Sequence, residues 1–237
     1  MKQVLMPISF NKDKLLTVEN LSTGYSKRQV LFDISFEVKR GEIVLLIGGN
    51  GSGKSTVLKA IYGLLNDYID KKGIITFEDE DITERKPFQM IEKGLVYVPQ
   101  KKNTFEQLTL MENLHLVAPN AVKGEELERR VNDVFEKFPQ LATLKNRTPF
   151  HLSGGEKQQL ALGMALMRHP KMILLDEPSA GISPKAWQQY VETIEGLNQR
   201  GLTFLIVEHR LNEIAKTAHN SLRMRLGKII ENKVHQV

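Results

Sequence analysis

The chain alternates between short, wholly apolar runs and longer stretches whose apolar residues recur every three or four positions. "EIVLLIG" (42–48), "KMILLDEP" (171–178) and "LTFLIVEH" (202–209) are continuous apolar runs, the pattern of strands buried on both faces. "LLTVENL" (15–21) and "DISFEV" (33–38) read as two earlier strands joined through a turn at 24–27. "GIITF" (73–77) and "GLVYVPQ" (94–100) supply two more. A helix is predicted from Lys54 to about Leu65, and residues 101–168 are mainly helical in pattern. Within 124–138, Leu127, Val131, Val134, Phe135 and Phe138 share one face. A later helix carries Trp187, Tyr190, Val191, Ile194 and Leu197, read as core packing rather than a ligand box. These elements predict an α/β domain with a helical insertion.

Composition narrows the chemistry. With 237 residues, 41% hydrophobic and 26% charged, the chain has ordinary globular composition. It has no cysteine, which removes disulfides, thiolate metal sites and a Cys nucleophile. Its six His lack metal-ligand spacing. The net charge of +5 comes from dispersed positives with no basic block, so nucleic acid is not an expected partner. No apolar run approaches the roughly 20 residues of a membrane span. Residues 1–13 read as a polar extension, too short in apolar length for a secretory signal. A membrane role therefore has to come through a partner.

"GGNGSGKST" carries the first candidate chemistry. It matches G-x-x-x-x-G-K-[ST], with Gly48, Gly53, Lys54 and Ser55 at the fixed positions. It follows a buried strand and precedes a helix, as a phosphate-cradling loop must. Gly48, Gly49, Asn50, Gly51, Ser52 and Gly53 would wrap phosphate oxygens with backbone N–H groups. Lys54 would neutralise the β- and γ-phosphates, Ser55 would hold Mg²⁺, and Thr56 lies near the α-phosphate. The motif alone specifies a nucleotide triphosphate, not which one.

Asp176 and Glu177 end the run "MILLDEP" at the carboxyl edge of a strand, where open α/β sheets place ligands. Asp176 can hold Mg²⁺ and Glu177 can polarise an attacking water. A strand-ending acidic turn is the plainer alternative, which the upstream P-loop disfavours.

"LSGGEKQ" (152–158), beginning its Ser-Gly-Gly 23 residues before Asp176, resembles the signature motif of ABC-type ATPases. The resemblance extends from about Leu15 to Lys228. It implies a RecA-like P-loop NTPase core, an N-terminal antiparallel β subdomain and a helical signature subdomain. The cassette would span 14–237, with the helical part at about 101–168. Gln100 looks like the Q-loop glutamine, a ligand of Mg²⁺ and contact to a permease. His209 looks like the switch histidine, and Tyr25 like the aromatic that stacks on adenine. Each would be weak alone; their common order gives them weight.

The family pattern further implies that two ATPase subunits pair head-to-tail around two ATP molecules. Ser153, Gly154 and Gly155 would then reach the γ-phosphate held by the partner, a copy of this chain or a paralogue. Integral-membrane permease subunits would be the other partners, at the cytoplasmic face of the inner membrane. Two positions depart from the pattern. Gly49 stands where many relatives have Pro or Ala, and Ser183 stands where the D-loop usually has Asp.

"EPSAGISP" (177–184) and the run 135–144 resemble ATPases of branched-chain amino-acid importers. The alternatives are an ATPase of lipopolysaccharide export, and a non-transport ABC ATPase of DNA repair or translation. The absence of long heptads and of a second cassette argues against the last group. A different P-loop enzyme, such as a small-molecule kinase, is opposed by the signature and the late His.

Overall fold

The computed structural model describes residues 13–25, 28–65 and 71–235. Most of the predicted extension lies outside them. Two sheets organise the chain. The first is antiparallel, in the order β2-β1-β4-β5, from β1 (Lys14–Tyr25), β2 (Arg28–Lys39), β4 (Lys72–Phe77) and β5 (Glu80–Asp81). The second has the order β10-β9-β3-β8-β7-β6, from β3 (Ile43–Gly48), β6 (Leu95–Val98), β7 (Met172–Asp176), β8 (Thr203–Val207), β9 (Asn220–Arg225) and β10 (Lys228–Val234). Its strands run parallel except for β10, which pairs antiparallel with β9.

The apolar runs behave as two-faced strands. Ile43, Leu45 and Ile47 of β3 join Ile173, Leu175, Phe204 and Ile206 in a core shared with the helices. Val44 and Leu46 point the other way, with Leu174, Leu205 and Val207, against the antiparallel sheet and α1 (Lys54–Ile61). Alternation along a strand thus divides one sheet between two cores. A short α2 (Pro87–Lys93) precedes β6.

Between β6 and β7 the chain is helical: α3 (Leu110–Val117), α4 (Glu125–Lys137), α5 (Pro139–Thr143), a 3₁₀ turn (Pro149–His151) and α6 (Gly154–Leu166). Val131, Val134 and Phe138 are buried, with Leu127 and Phe135 packed against them, as the periodicity predicts. After β7 comes α7 (Pro184–Asn198), whose Trp187, Tyr190, Val191, Ile194 and Leu197 are all buried. A one-turn α8 (Leu211–Ile214) follows β8.

Two expectations change. Of the turn predicted at 24–27, Gly24 and Tyr25 belong instead to β1, paired with Gln29 and Arg28, and residues 26 and 27 lie outside the described residues. A Cβ at Gly24 would lie 2.1 Å from the Arg28 carbonyl, so only glycine lets the strands close there. The sequence reading also missed the β9–β10 hairpin, because β10 is exposed along most of its length and shows no apolar face.

Candidate functional site

The carboxyl ends of β3, β7 and β8, neighbours in the sheet, bring the P-loop, the acidic pair and His209 together. Leu46 pairs with Val207 across β3 and β8, and Val207 pairs with Asp176 across β8 and β7. The residues just beyond these rungs are therefore side by side.

The P-loop is braced from behind by the C-terminal hairpin. Gly48 has φ 152°, and a Cβ there would lie 2.3 Å from the Met224 carbonyl. The Gly227 N–H donates to the Ser52 carbonyl at 3.0 Å. Gly49, by contrast, has open space where a Cβ would go, so this site tolerates the larger residues of relatives. Asn50 and Gly51 are exposed at the tip, while Ser52, Gly53 and Thr56 are buried.

The Lys54 ammonium curls back into its own loop, donating to the Gly48 and Gly49 carbonyls at 3.0 Å each. Burial pushes its pKa below the ordinary lysine value, while Glu177 and Asp176 pull it back up. A glycine-rich loop that holds a desolvated cation and leads into a helix N-terminus is suited to receive anionic oxygens.

Facing it, the Ser55 hydroxyl donates to Asp176 Oδ1 at 2.7 Å. The Tyr97 hydroxyl donates to Oδ2 at 3.0 Å. Tyr97 is a site residue the sequence reading missed; it lies 79 positions from Asp176 and carries no motif. Burial, then the Asp176 charge, push its hydroxyl well above the ordinary range, so it remains a donor. The hydroxyl of Ser55 and the Asp176 carboxylate form an oxygen pair of the kind Mg²⁺ takes alongside phosphates and water. Among the described residues no cluster of three or more His, Cys, Asp or Glu forms a metal cage.

Glu177 sits beside this pair. Gln100 Nε2 donates to its Oε2 at 2.5 Å, and His209 Nε2 lies 3.0 Å from its Oε1. Glu177 has φ 49°, an unfavourable left-handed backbone for a glutamate. Its N–H donates to the Val207 carbonyl at 2.9 Å. Amide, carboxylate and imidazole thus form one row next to the Ser55–Asp176 pair.

Tyr25 ends β1 with an exposed ring. The hairpin it belongs to reaches the P-loop through Leu31, which would touch a Cβ at Gly53.

The signature residues stand apart. Ser153 caps α6: its hydroxyl accepts from the Glu156 N–H at 3.3 Å, and Glu156 answers with a 2.7 Å bond from the Ser153 N–H. Gly154 packs against the Gly181 carbonyl and Gly155 faces the Ala186 methyl. Among the described residues no hydrogen bond joins Ser153, Gly154 or Gly155 to the P-loop. Ser183, in place of the family's Asp, caps α7 by accepting from the Ala186 N–H at 3.3 Å.

A nucleotide-phosphate loop whose facing edge offers a metal-competent oxygen pair and a carboxylate beside an imidazole defines a P-loop nucleoside-triphosphatase. The family model described as ABC transporter matches residues 31–180. The chain is 38% identical over 216 residues to the high-affinity branched-chain amino acid transport ATP-binding protein BraG of Pseudomonas aeruginosa, covering 91% of each. It is 33% identical over 218 residues to the lipopolysaccharide export system ATP-binding protein LptB of Haemophilus influenzae, covering 91% of this chain and 89% of that one. A solved nucleotide-free ATP-binding cassette from an ABC transporter superposes with a TM-score of 0.85 at 31% identity, over 94% of this chain and 92% of that one. The chain belongs to the ABC transporter family, as an ATP-binding subunit with ATPase activity.

Proposed function

We propose that the row Gln100–Glu177–His209 is the hydrolytic centre of this subunit, and that it powers the uptake of branched-chain amino acids through a membrane permease. The observation that carries the site assignment is the Glu177 carboxylate held between Gln100 at 2.5 Å and His209 at 3.0 Å. The substrate assignment is supported by the greater identity to BraG, 38% against 33% for LptB.

In this reading Gly48, Gly49, Asn50, Gly51, Ser52, Gly53 and Thr56 wrap the ATP phosphates. Lys54 exchanges the Gly48 and Gly49 carbonyls for β- and γ-phosphate oxygens, which offsets the burial of its charge. The exposed ring of Tyr25 stacks on adenine. Ser55, Asp176 and Gln100 would hold Mg²⁺, which supplies charge neutralisation on the phosphates when bound. Glu177 accepts a proton from the attacking water as general base. His209 orients Glu177 and donates toward the γ-phosphate.

Ser153, Gly154 and Gly155 serve a second cassette. Ser153 is exposed and, among the described residues, bonded only to its own helix, which supports the availability of the signature to a γ-phosphate bound across an interface. ATP then bridges two subunits, and losing the γ-phosphate removes the bridge. The second cassette is a copy of this chain or a paralogue, docked with permease subunits at the cytoplasmic face of the inner membrane. The reading takes 14–237 as the cassette, 101–168 as its helical part and 1–13 as an extension.

Glu177→Gln should bind ATP, turn it over far more slowly and accumulate as an ATP-bound dimer by light scattering. Wild-type turnover in that variant would refute the assignment of the base. Ser153→Arg should bind ATP as a monomer and fail to dimerise. Co-purification from membranes identifies the permease: amino-acid permease subunits support the uptake reading, and lipopolysaccharide-export subunits overturn it.

A further inference from the structure

Glu208 follows the last residue of β8 and is 1% exposed. Its carboxylate has no cation beside it among the described residues; the guanidinium of Arg210 turns to the Ile182 carbonyl at 3.0 Å instead. Four donors converge on it. Oε2 accepts from the Ser179 N–H at 3.1 Å. Oε1 accepts from the Ser179 hydroxyl at 2.7 Å, the His209 N–H at 2.6 Å and the Arg210 N–H at 2.8 Å. A buried carboxylate without a counter-ion is costly even when hydrogen-bonded, so net stability is a poor reason for its presence.

The four bonds straddle two loops that each carry one member of the proposed hydrolytic pair. Ser179 is two residues past Glu177, and His209 is the next residue after Glu208. The side chains of Glu177 and His209 meet at 3.0 Å. The bonds therefore close a ring that runs from the Glu177 side chain through His209, Glu208 and Ser179 back to the Glu177 backbone. Glu177 needs such a ring. Its left-handed φ of 49° persists only where surrounding bonds over-determine it. Val207 holds one side through the Glu177 N–H, and the Ser179–Glu208 bonds hold the other.

We propose that Glu208 is a positioning residue for ATP hydrolysis: its carboxylate clamps Ser179 to the backbone of His209 and fixes how Glu177 and His209 face each other. Glu208→Gln leaves Oε1 in place and turns an amide N–H toward the Ser179 N–H, replacing one bond by two opposed donors. Ser179→Ala removes only the hydroxyl, and Ser179→Thr returns it.

The test uses the purified full chain, with steady-state ATP turnover and single-turnover assays on γ-labelled ATP for the slow variants. Glu208→Gln should lower kcat about tenfold with KM for ATP within about twofold, the size expected for one lost buried bond read in the rate. In a His209→Ala background the same change should cost only about threefold, because the orientation toward His209 is gone while the hold on the Glu177 backbone through Ser179 remains. Ser179→Ala should lower kcat about threefold and Ser179→Thr should restore it. If Glu208→Gln fails to fold, the Ser179 pair decides the question alone. A full tenfold loss in the His209→Ala background, or a Ser179→Ala loss that Ser179→Thr does not rescue, overturns the clamp. Unchanged kcat in both Glu208→Gln and Ser179→Ala also overturns it. The inference rests on the assignment of Glu177 and His209: wild-type turnover in Glu177→Gln and His209→Ala sinks both. Loss of turnover in those two variants, with Glu208 and Ser179 indifferent, sinks the clamp only.

Discussion

Gly154→Ala adds one methyl group to the signature, and the structure says where it goes. A Cβ at Gly154 would sit 2.2 Å from the Gly181 carbonyl oxygen and 3.4 Å from Ile182 Cγ2. Real Cβ atoms essentially never come closer than 3.0 Å, so the 180–183 loop must retreat by about 0.8 Å. That loop has little freedom. Ser179 is bonded to Glu208, Arg210 holds the Ile182 carbonyl, and Ser183 caps α7. Overpacking of this kind costs about 1–3 kcal/mol. Replacing glycine by alanine in a helix returns at most about 1 kcal/mol, less in the first turn. The net loss is about 1–2 kcal/mol, a drop in Tm of roughly 2–8 °C for a domain this size. Gly155→Ala is the control. Its Cβ would meet only the Ala186 methyl, at 3.0 Å, and a shift of a few tenths of an ångström relieves that. Its Tm should stay within about 2 °C of wild type. Both are measured by calorimetry on nucleotide-free protein, where no ATP bridge exists. Equal Tm changes in the two variants would refute the packing argument and leave both glycines to nucleotide contact alone.

Four further outcomes follow from the site and its supports. Ser183→Ala should lose about 1 kcal/mol with the α7 cap, read as a fall in Tm, whereas Ser183→Asp should keep it; a neutral alanine would remove the capping role. Tyr97→Phe should raise the Mg²⁺ concentration for half-maximal ATPase about tenfold, since Asp176 loses a partner that orients it. An unchanged Mg²⁺ requirement would count against Asp176 as a ligand. Saturating ATP should raise the Tm of wild type and leave that of Lys54→Met unchanged. The same variant checks the lysine's titration: burial lowers its folded-state pKa below 10.5, so the unfolded chain holds the extra proton between the two values. The stability of wild type relative to Lys54→Met should therefore rise with pH across that alkaline window, and a flat difference would contradict the burial effect.

The residues legible in the sequence are those whose chemistry is local. The P-loop needs glycines, a lysine and a hydroxyl at fixed spacing, and Gly48 to Thr56 supply them in one stretch. Asp176, Glu177 and His209 end apolar runs, so their place at the sheet edge follows from β7 and β8 being buried on both faces. Tyr97 and Glu208 were not legible, because their partners lie 79 and 29 residues away in sequence. The β9–β10 hairpin escaped for a different reason. Its contribution is the Met224 carbonyl behind Gly48 and the Gly227 N–H on Ser52, both backbone groups that leave no mark on side-chain pattern. Tyr25 shows the limit of turn chemistry: a glycine beside it reads as a turn, yet Gly24 serves the close approach of paired strands.

These two kinds of residue have different tolerances. Adjacent parallel strands fix the P-loop, Asp176 and Glu208 through the rungs Leu46–Val207 and Val207–Asp176. A one-residue slip of β8 would exchange Phe204 and Ile206 with Leu205 and Val207 between the two cores, so the register is held by most of the hydrophobic interior. The Glu177–His209 contact has no such backing. It depends on a left-handed glutamate and on the few hydrogen bonds that Glu208 makes to the flanking loops. Substitutions in the strands should therefore act on stability before they act on rate, whereas substitutions at Ser179 and Glu208 should act on rate while the sheet stays folded.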